Sequence, residues 1–187
     1  MNDEKKIRAF ISFDLDNEEF VKNAEKMQAA FRKIDAKIKF VETENLHLNL
    51  KFLGDIPVRT AKKIYEILTK IDTVPTNGIE IKIKNMGHFG KRVLWCGIQD
   101  PSGVVKKTQK VIEDELFEKL KIPKENRAFK AHITLGRIKF LRDKEAFLEL
   151  VGKYKFQEFG SQKIDKIHLK KSDLTPKGPI YSDLSFD

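Results

Sequence analysis

His47-Leu48-Asn49-Leu50 and, 85 residues later, His132-Ile133-Thr134-Leu135 set a histidine at the same point of the same alternating pattern. Read with a period of two, Leu46, Leu48 and Leu50 share one face of a strand and His47, Asn49 and Lys51 the other. In the second stretch Ala131, Ile133 and Leu135 oppose His132 and Thr134. The offset extends outward. Residues 8–13 (RAFISF) fall on 93–98 (VLWCGI) without a gap, and both read as short buried strands bounded by Asp-containing turns. A helix follows in each half, carried by Phe20, Ala24, Met27 and Phe31 in the first and by Val104, Val105, Thr108, Val111, Ile112, Glu115 and Leu116 in the second. The histidine strand comes next, then a second helix at about 57–72 and about 143–154.

Each half closes on a further strand, cleanly alternating in Ile79-Glu80-Ile81-Lys82-Ile83 and less so over 164–169. A last strand, near 180–186, follows the turn signals Pro176, Gly178 and Pro179. The predicted fold is α+β and bilobal: two antiparallel-sheet lobes related by a pseudo-twofold axis, with outer helices and a central cleft. Residues 1–187 are expected to form a single domain of two interdependent lobes, approximately the halves 1–90 and 91–187. Whether the C-terminal strand crosses to the other lobe is left open. Face-to-face lobes would let His47 and His132 approach one ligand from opposite sides.

A chain of 187 residues that is 40% hydrophobic and carries 14 Phe can fill such a core. It has no apolar run of membrane length, and the charged start Met1-Asn2-Asp3-Glu4-Lys5-Lys6 lacks a signal-peptide pattern, so a cytoplasmic protein is expected. A monomer is expected as well. Cys96 is the single cysteine, which excludes an intramolecular disulfide, and its apolar setting reads as a buried structural thiol. Lys and Arg outnumber Asp and Glu by 37 to 28, a formal charge of +9. That balance suits a polyanion such as RNA, and it suits equally the solvated Lys-rich surface of heat-adapted proteins.

Two facing histidines suit phosphodiester chemistry. With an ordinary pKa of about 6.5, one imidazole accepts a proton while the other donates one near neutral pH. Cleavage needs a base for the attacking hydroxyl, an acid for the departing sugar oxygen, and donors on the non-bridging oxygens. Asn49 and Thr134, two positions after each histidine, are suitable donors.

The stretches HLNLKFLG at 47–54 and HITLGR at 132–137 resemble the paired His-x-Thr-x motifs of the two-histidine (2H) phosphoesterases. Together with RAFI at 8–11 and LKKSDLTPKGPIY at 169–181, they make the chain similar over nearly its full length to the archaeal and bacterial RNA 2′,3′-cyclic phosphodiesterases, also called 2′-5′ RNA ligases. The resemblance implies a bilobal α+β fold, no metal or other cofactor, and hydrolysis of a terminal 2′,3′-cyclic phosphate on RNA to a 2′-phosphate. It implies ATP-independent 2′-5′ joining as the reverse reaction. It further implies that His47 is the proton donor and His132 the proton acceptor, an assignment that rests on the resemblance alone because the sequence itself is nearly symmetric. Asn49 departs from the Thr or Ser usual at that point.

Arg137 follows the second motif, where its guanidinium suits phosphate contact as well as a surface role. Phe52 reads as a core aromatic or as a platform for stacking a terminal base. Lys51 and Lys130 are further candidates near the cleft, or solvated. His88, between glycines, reads as a turn residue and His168 as a surface one, since neither has a small polar residue two positions on. Glu113-Asp114-Glu115 reads as a helix's solvent face. A metal hydrolase would need a third ligand, and no His-Glu-x-x-His or Asp-rich cluster is present, so no metal is expected. Two alternatives stay open: a non-catalytic module that clasps RNA ends, and a phosphodiesterase acting on a different cyclic or 2′-5′-linked nucleotide. No membrane partner is expected.

Overall fold

Alternating apolar residues build the strands and three-to-four spacing builds the helices of a computed structural model that describes residues 5–176 and 178–186. Met1–Glu4 of the charged start and Lys177 of the closing motif lie outside the described residues. In chain order the elements are β1 (Lys6–Asp14), α1 (Glu18–Phe31), β2 (Ala36–Phe40), β3 (His47–Pro57), α2 (Val58–Leu68), β4 (Ile79–Phe89) and β5 (Val93–Gln99). There follow α3 (Val104–Leu120), β6 (His132–Leu141), α4 (Lys144–Tyr154), β7 (Glu158–Ile164), β8 (His168–Leu174) and β9 (Pro179–Asp183). Local chemistry fixes helix starts: Asn17 caps α1, its side chain accepting from the Phe20 amide at 3.1 Å, and Asp143 caps α4 through Ala146 at 2.9 Å. Glu18 and Glu19 favour the positive end of α1.

All pairings are antiparallel, and the strands form one sheet in the order β7-β4-β5-β6-β3-β1-β8-β9, with β2 beside β6. The order is palindromic about the β6–β3 seam: each histidine strand is followed outward by its 85-offset partner, β5 beside β6 and β1 beside β3. One register pair, Leu48 with Ile133, makes the seam.

The lobes are not the two sequence halves. Beneath β1, β3 and β8 the core is closed by α2 and by α3 of the second half, with Val105, Ile112 and Leu116 among Ile11, Phe13, Leu48 and Leu50. Beneath β4, β5, β6 and β7 it is closed by α4 and by α1 of the first half, with Phe20, Ala24, Met27 and Phe31 among Ile83, Leu94, Ile133 and Leu135. The first helix of each half therefore crosses the seam. The third strands exchange too: β4 joins the second lobe, while β8 and β9 return to the first. Each buried Leu, Ile or Phe contributes about 1.5–3 kcal/mol, so both lobes draw their stability from both halves.

Three local expectations change. Residues 164–169 are not one strand: Ile164 ends β7, 165–167 form the turn, and His168 begins β8, because Ile164 closes one alternating run and His168 opens another. β2 adds to the expected elements, and the second half has no strand to match it among the described residues. His88 lies in β4 and not in a turn; its Nδ1 accepts from the Lys91 amide at 3.2 Å and its ring centroid lies 5.6 Å from that of Phe147. Cys96 is fully buried and burial pushes its thiol far up, which leaves it unreactive. Among the described residues no helix is long and apolar enough to cross a membrane.

Candidate active site

The seam positions the polar face. Carrying the antiparallel register of Leu48 and Ile133 one residue each way sets His47 opposite Thr134 and Asn49 opposite His132. Leu48 and Ile133 point into the cores, so these four polar residues share the other face. Directly opposed side chains start about 5 Å apart and diagonal ones about 7–8 Å. The histidines occupy one diagonal and Asn49 with Thr134 the other, leaving room for one phosphate between them. All four line one cavity of about 120 Å³, together with Phe52, Arg137 and Tyr181.

Both imidazoles are tied in the same way. His47 Nδ1 lies 2.8 Å from the Asn45 carbonyl and His132 Nδ1 lies 2.6 Å from the Lys130 carbonyl. A carbonyl only accepts, so each Nδ1 carries a hydrogen and each Nε2 is left for proton transfer. The rings are also held by aromatic neighbours. Phe10 and Tyr181 lie 4.8 and 5.4 Å from His47, and Phe89 meets His132 edge-on at 4.9 Å. Burial lowers the His47 pKa; the Asn45 carbonyl and the nearby Asp14 carboxylate act in the opposite direction. Burial raises the Tyr181 hydroxyl, which stays protonated as a donor.

A bulge in each strand sets the facing of the residues beyond the motifs. Ser12 pairs with Asn49 and Ile11 with Lys51, so Leu50 is an extra residue; Trp95 pairs with Thr134 and Leu94 with Gly136, so Leu135 is extra at the corresponding point. The bulges reverse the alternation beyond them. Phe52 and Arg137, equivalent by the offset, both emerge on the cleft side, and Phe52 is 59% exposed. It is a wall of the cavity and not a core aromatic.

Lys51, expected on the cleft face, is turned into the core and is only 2% exposed. Its Nζ lies 2.9 Å from Glu113 Oε1 and donates at the same distance to the Pro123 carbonyl. Glu113 is correspondingly buried and not on a solvent face; its other oxygen accepts from the Glu125 amide at 3.1 Å. The pair holds the segment after α3 against the bulged strand. Lys130, on that segment, serves through its carbonyl on His132, while its side chain borders a second groove of about 540 Å³. That groove shares Asn49, Phe52 and His132 with the smaller cavity.

His168 lies outside both cavities. Its Nδ1 is 3.1 Å from Asp183, and Asp14, His168 and Asp183 lie close enough to hold a metal ion. The Lys170 ammonium already sits among them, at 2.5 Å from Asp14 and 3.3 Å from Asp183, and supplies the positive charge. Ser12 Oγ and Asn49 Oδ1, cross-strand partners, are both buried without a hydrogen bond among the described residues. Sequence reasoning missed Phe10, Tyr181 and Phe89, although the offset already aligned Phe10 with Trp95.

Comparison with known proteins identifies the family. A family model described as "AKAP7 2′5′ RNA ligase-like domain" matches residues 9–182. A protein of Methanothermobacter thermautotrophicus named RNA 2′,3′-cyclic phosphodiesterase is 36% identical over 184 residues, covering 96% of this chain and 97% of that protein. One of the same name from Methanocaldococcus jannaschii is 35% identical, covering 94% and 96%. The solved structure of E. coli LigT complexed with 3′-AMP superposes with a TM-score of 0.76 at 20% identity, covering 97% of each chain, and shares the fold. Matched by that model over residues 9–182 and by these relatives over nearly their whole length, the chain belongs to the 2′-5′ RNA ligase-like phosphoesterases.

Proposed function

We propose that the protein is an RNA 2′,3′-cyclic phosphodiesterase that opens a terminal cyclic phosphate to a 2′-phosphate by two-histidine acid–base catalysis. The observation that carries the reading is the diagonal placement of His47 and His132 across the seam, each with Nδ1 tied to a carbonyl. His132 Nε2 takes a proton from water as its oxygen attacks phosphorus. The bond from phosphorus to O3′ breaks, and His47 Nε2 delivers a proton to that oxygen. Asn49, Thr134 and Arg137 donate to the non-bridging oxygens, where negative charge gathers. Phe52 offers an exposed face on which a terminal base stacks. A 5′-hydroxyl in place of water gives a 2′-5′ linkage by the same bond changes, because phosphorus stays on O2′.

A second reading exchanges the two histidines. The depressed pKa of His47 favours the neutral ring, which suits a base. The substrate's phosphate anion acts the other way by stabilising the imidazolium. Sulfur at the 3′ bridging position discriminates, since a thiolate leaves without protonation. An end-labelled RNA with a 2′,3′-cyclic phosphate, in chelator, is expected to yield only the 2′-phosphate, and its 3′-thio analogue is expected to rescue His47→Ala but not His132→Ala. Rescue of His132→Ala instead reverses the roles. A 3′-phosphate product, or no product, refutes the function.

A further inference from the structure

The two ends of the cleft differ in charge. At the β8–β9 end Lys170, His168 and Lys171 each face a carboxylate, of Asp14, Asp183 or Asp173. At the other end Arg137 leaves the catalytic cavity and borders a shallow groove of about 560 Å³ along the ends of β5 and β6. Lys91, Arg92 and Lys139 line it as well. All four cations are exposed, and none enters an ion pair among the described residues. Lys39, which pairs in register with Arg137, extends the positive strip onto β2. Phe140, 54% exposed, lies at the groove with the Arg142 guanidinium 5.8 Å from its ring centre.

Exposed cations crowded together without carboxylates repel one another, and an anion relieves that repulsion. The strip is continuous with the cavity that holds the reacting phosphate, so the anion it fits is the remainder of the same strand. We infer that this groove carries the sugar–phosphate backbone of the RNA just 5′ to the cyclic end, with Phe140 as an apolar face for a base. The inference rests on the phosphodiesterase reading and adds to it a strand direction: the RNA leaves the cleft past Arg137 toward the β4–β5 turn, and not past Tyr181.

The test combines Lys91→Gln, Arg92→Gln and Lys139→Gln, all outside the catalytic cavity. Two substrates are compared: a nucleoside 2′,3′-cyclic monophosphate, which has no upstream phosphate, and a ten-nucleotide RNA ending in the cyclic phosphate. The triple variant is expected to lose at least tenfold in kcat/KM on the decamer while staying within twofold on the monophosphate. The slope of log binding constant against log salt is expected to become shallower by about 2, from three contacts at about 0.7 each for a single strand. An unchanged decamer rate, or equal losses on both substrates, overturns the groove. If the wild type cleaves neither substrate, the phosphodiesterase reading fails by itself; decamer binding by wild type and triple variant then decides the groove, with equal affinities refuting it.

Discussion

Beyond their bulges the two histidine strands part company. β3 sends Lys51 into a buried ion pair that holds a loop; β6 sends Gly136 against β2, where an added Cβ would lie 2.8 Å from Ile38 Cγ2 and 3.1 Å from Phe40 Cδ1. The same register position thus takes a long flexible cation in one lobe and no side chain in the other. Symmetry is kept on the cleft face and given up on the side that meets the rest of the chain. The lobe with a spare strand packs it; the lobe without one anchors a loop with charge.

The equality of the lobes at the chemical step is tested by His47→Ala and His132→Ala. Each is expected to lower kcat by about 10²–10⁴-fold, and a variant keeping half its activity breaks the comparison. On the buried side the lobes should differ. Lys51→Met leaves Glu113 without its partner and is expected to cost about 3–5 kcal/mol in denaturant unfolding, most of it recovered by adding Glu113→Leu. Gly136→Ala, its counterpart, is expected to cost about 1–3 kcal/mol through crowding against β2, relieved by Ile38→Ala. Making the motifs alike should matter least: Asn49→Thr is expected to change the rate by less than tenfold, within about 1.4 kcal/mol. A larger gain would mean that the amide impairs the site.

The pH dependence sharpens the pairing further. One imidazole must be neutral and one charged, so kcat/KM is expected to follow a bell. Burial holds His47 below its ordinary value, which places the acidic limb below about pH 6.5, whichever residue is the base. A rate rising steadily to pH 10 would contradict the pair.

What the sequence disclosed was periodic. His47, Asn49, His132 and Thr134 are legible because period-two alternation and a fixed offset are local signals. The bulges are not, because Leu50 and Leu135 keep the alternation unbroken on paper while each adds a residue in space. Lys51 and Phe52 take unexpected places for that one reason, and Glu113 is buried as the partner of Lys51. Ala36-Lys37-Ile38-Lys39-Phe40 alternates well enough to be read as β2. The helix exchange leaves no mark at all, since Phe20 and Ile112 are apolar wherever they pack; only tertiary contact says against which lobe.

That exchange bears on how the chain acquires its shape during synthesis. When residue 90 has been made, α1 lacks β6 and β7, and the β1–β3 pair lacks α3 and β8. The second lobe's layer cannot close until the chain reaches Phe159, nor the first lobe's until Leu169, so folding awaits the far end of the polypeptide and should be all-or-none. A nascent chain stalled midway would expose two half-built layers at once, a client for chaperones where an ordinary tandem repeat would already have finished one domain.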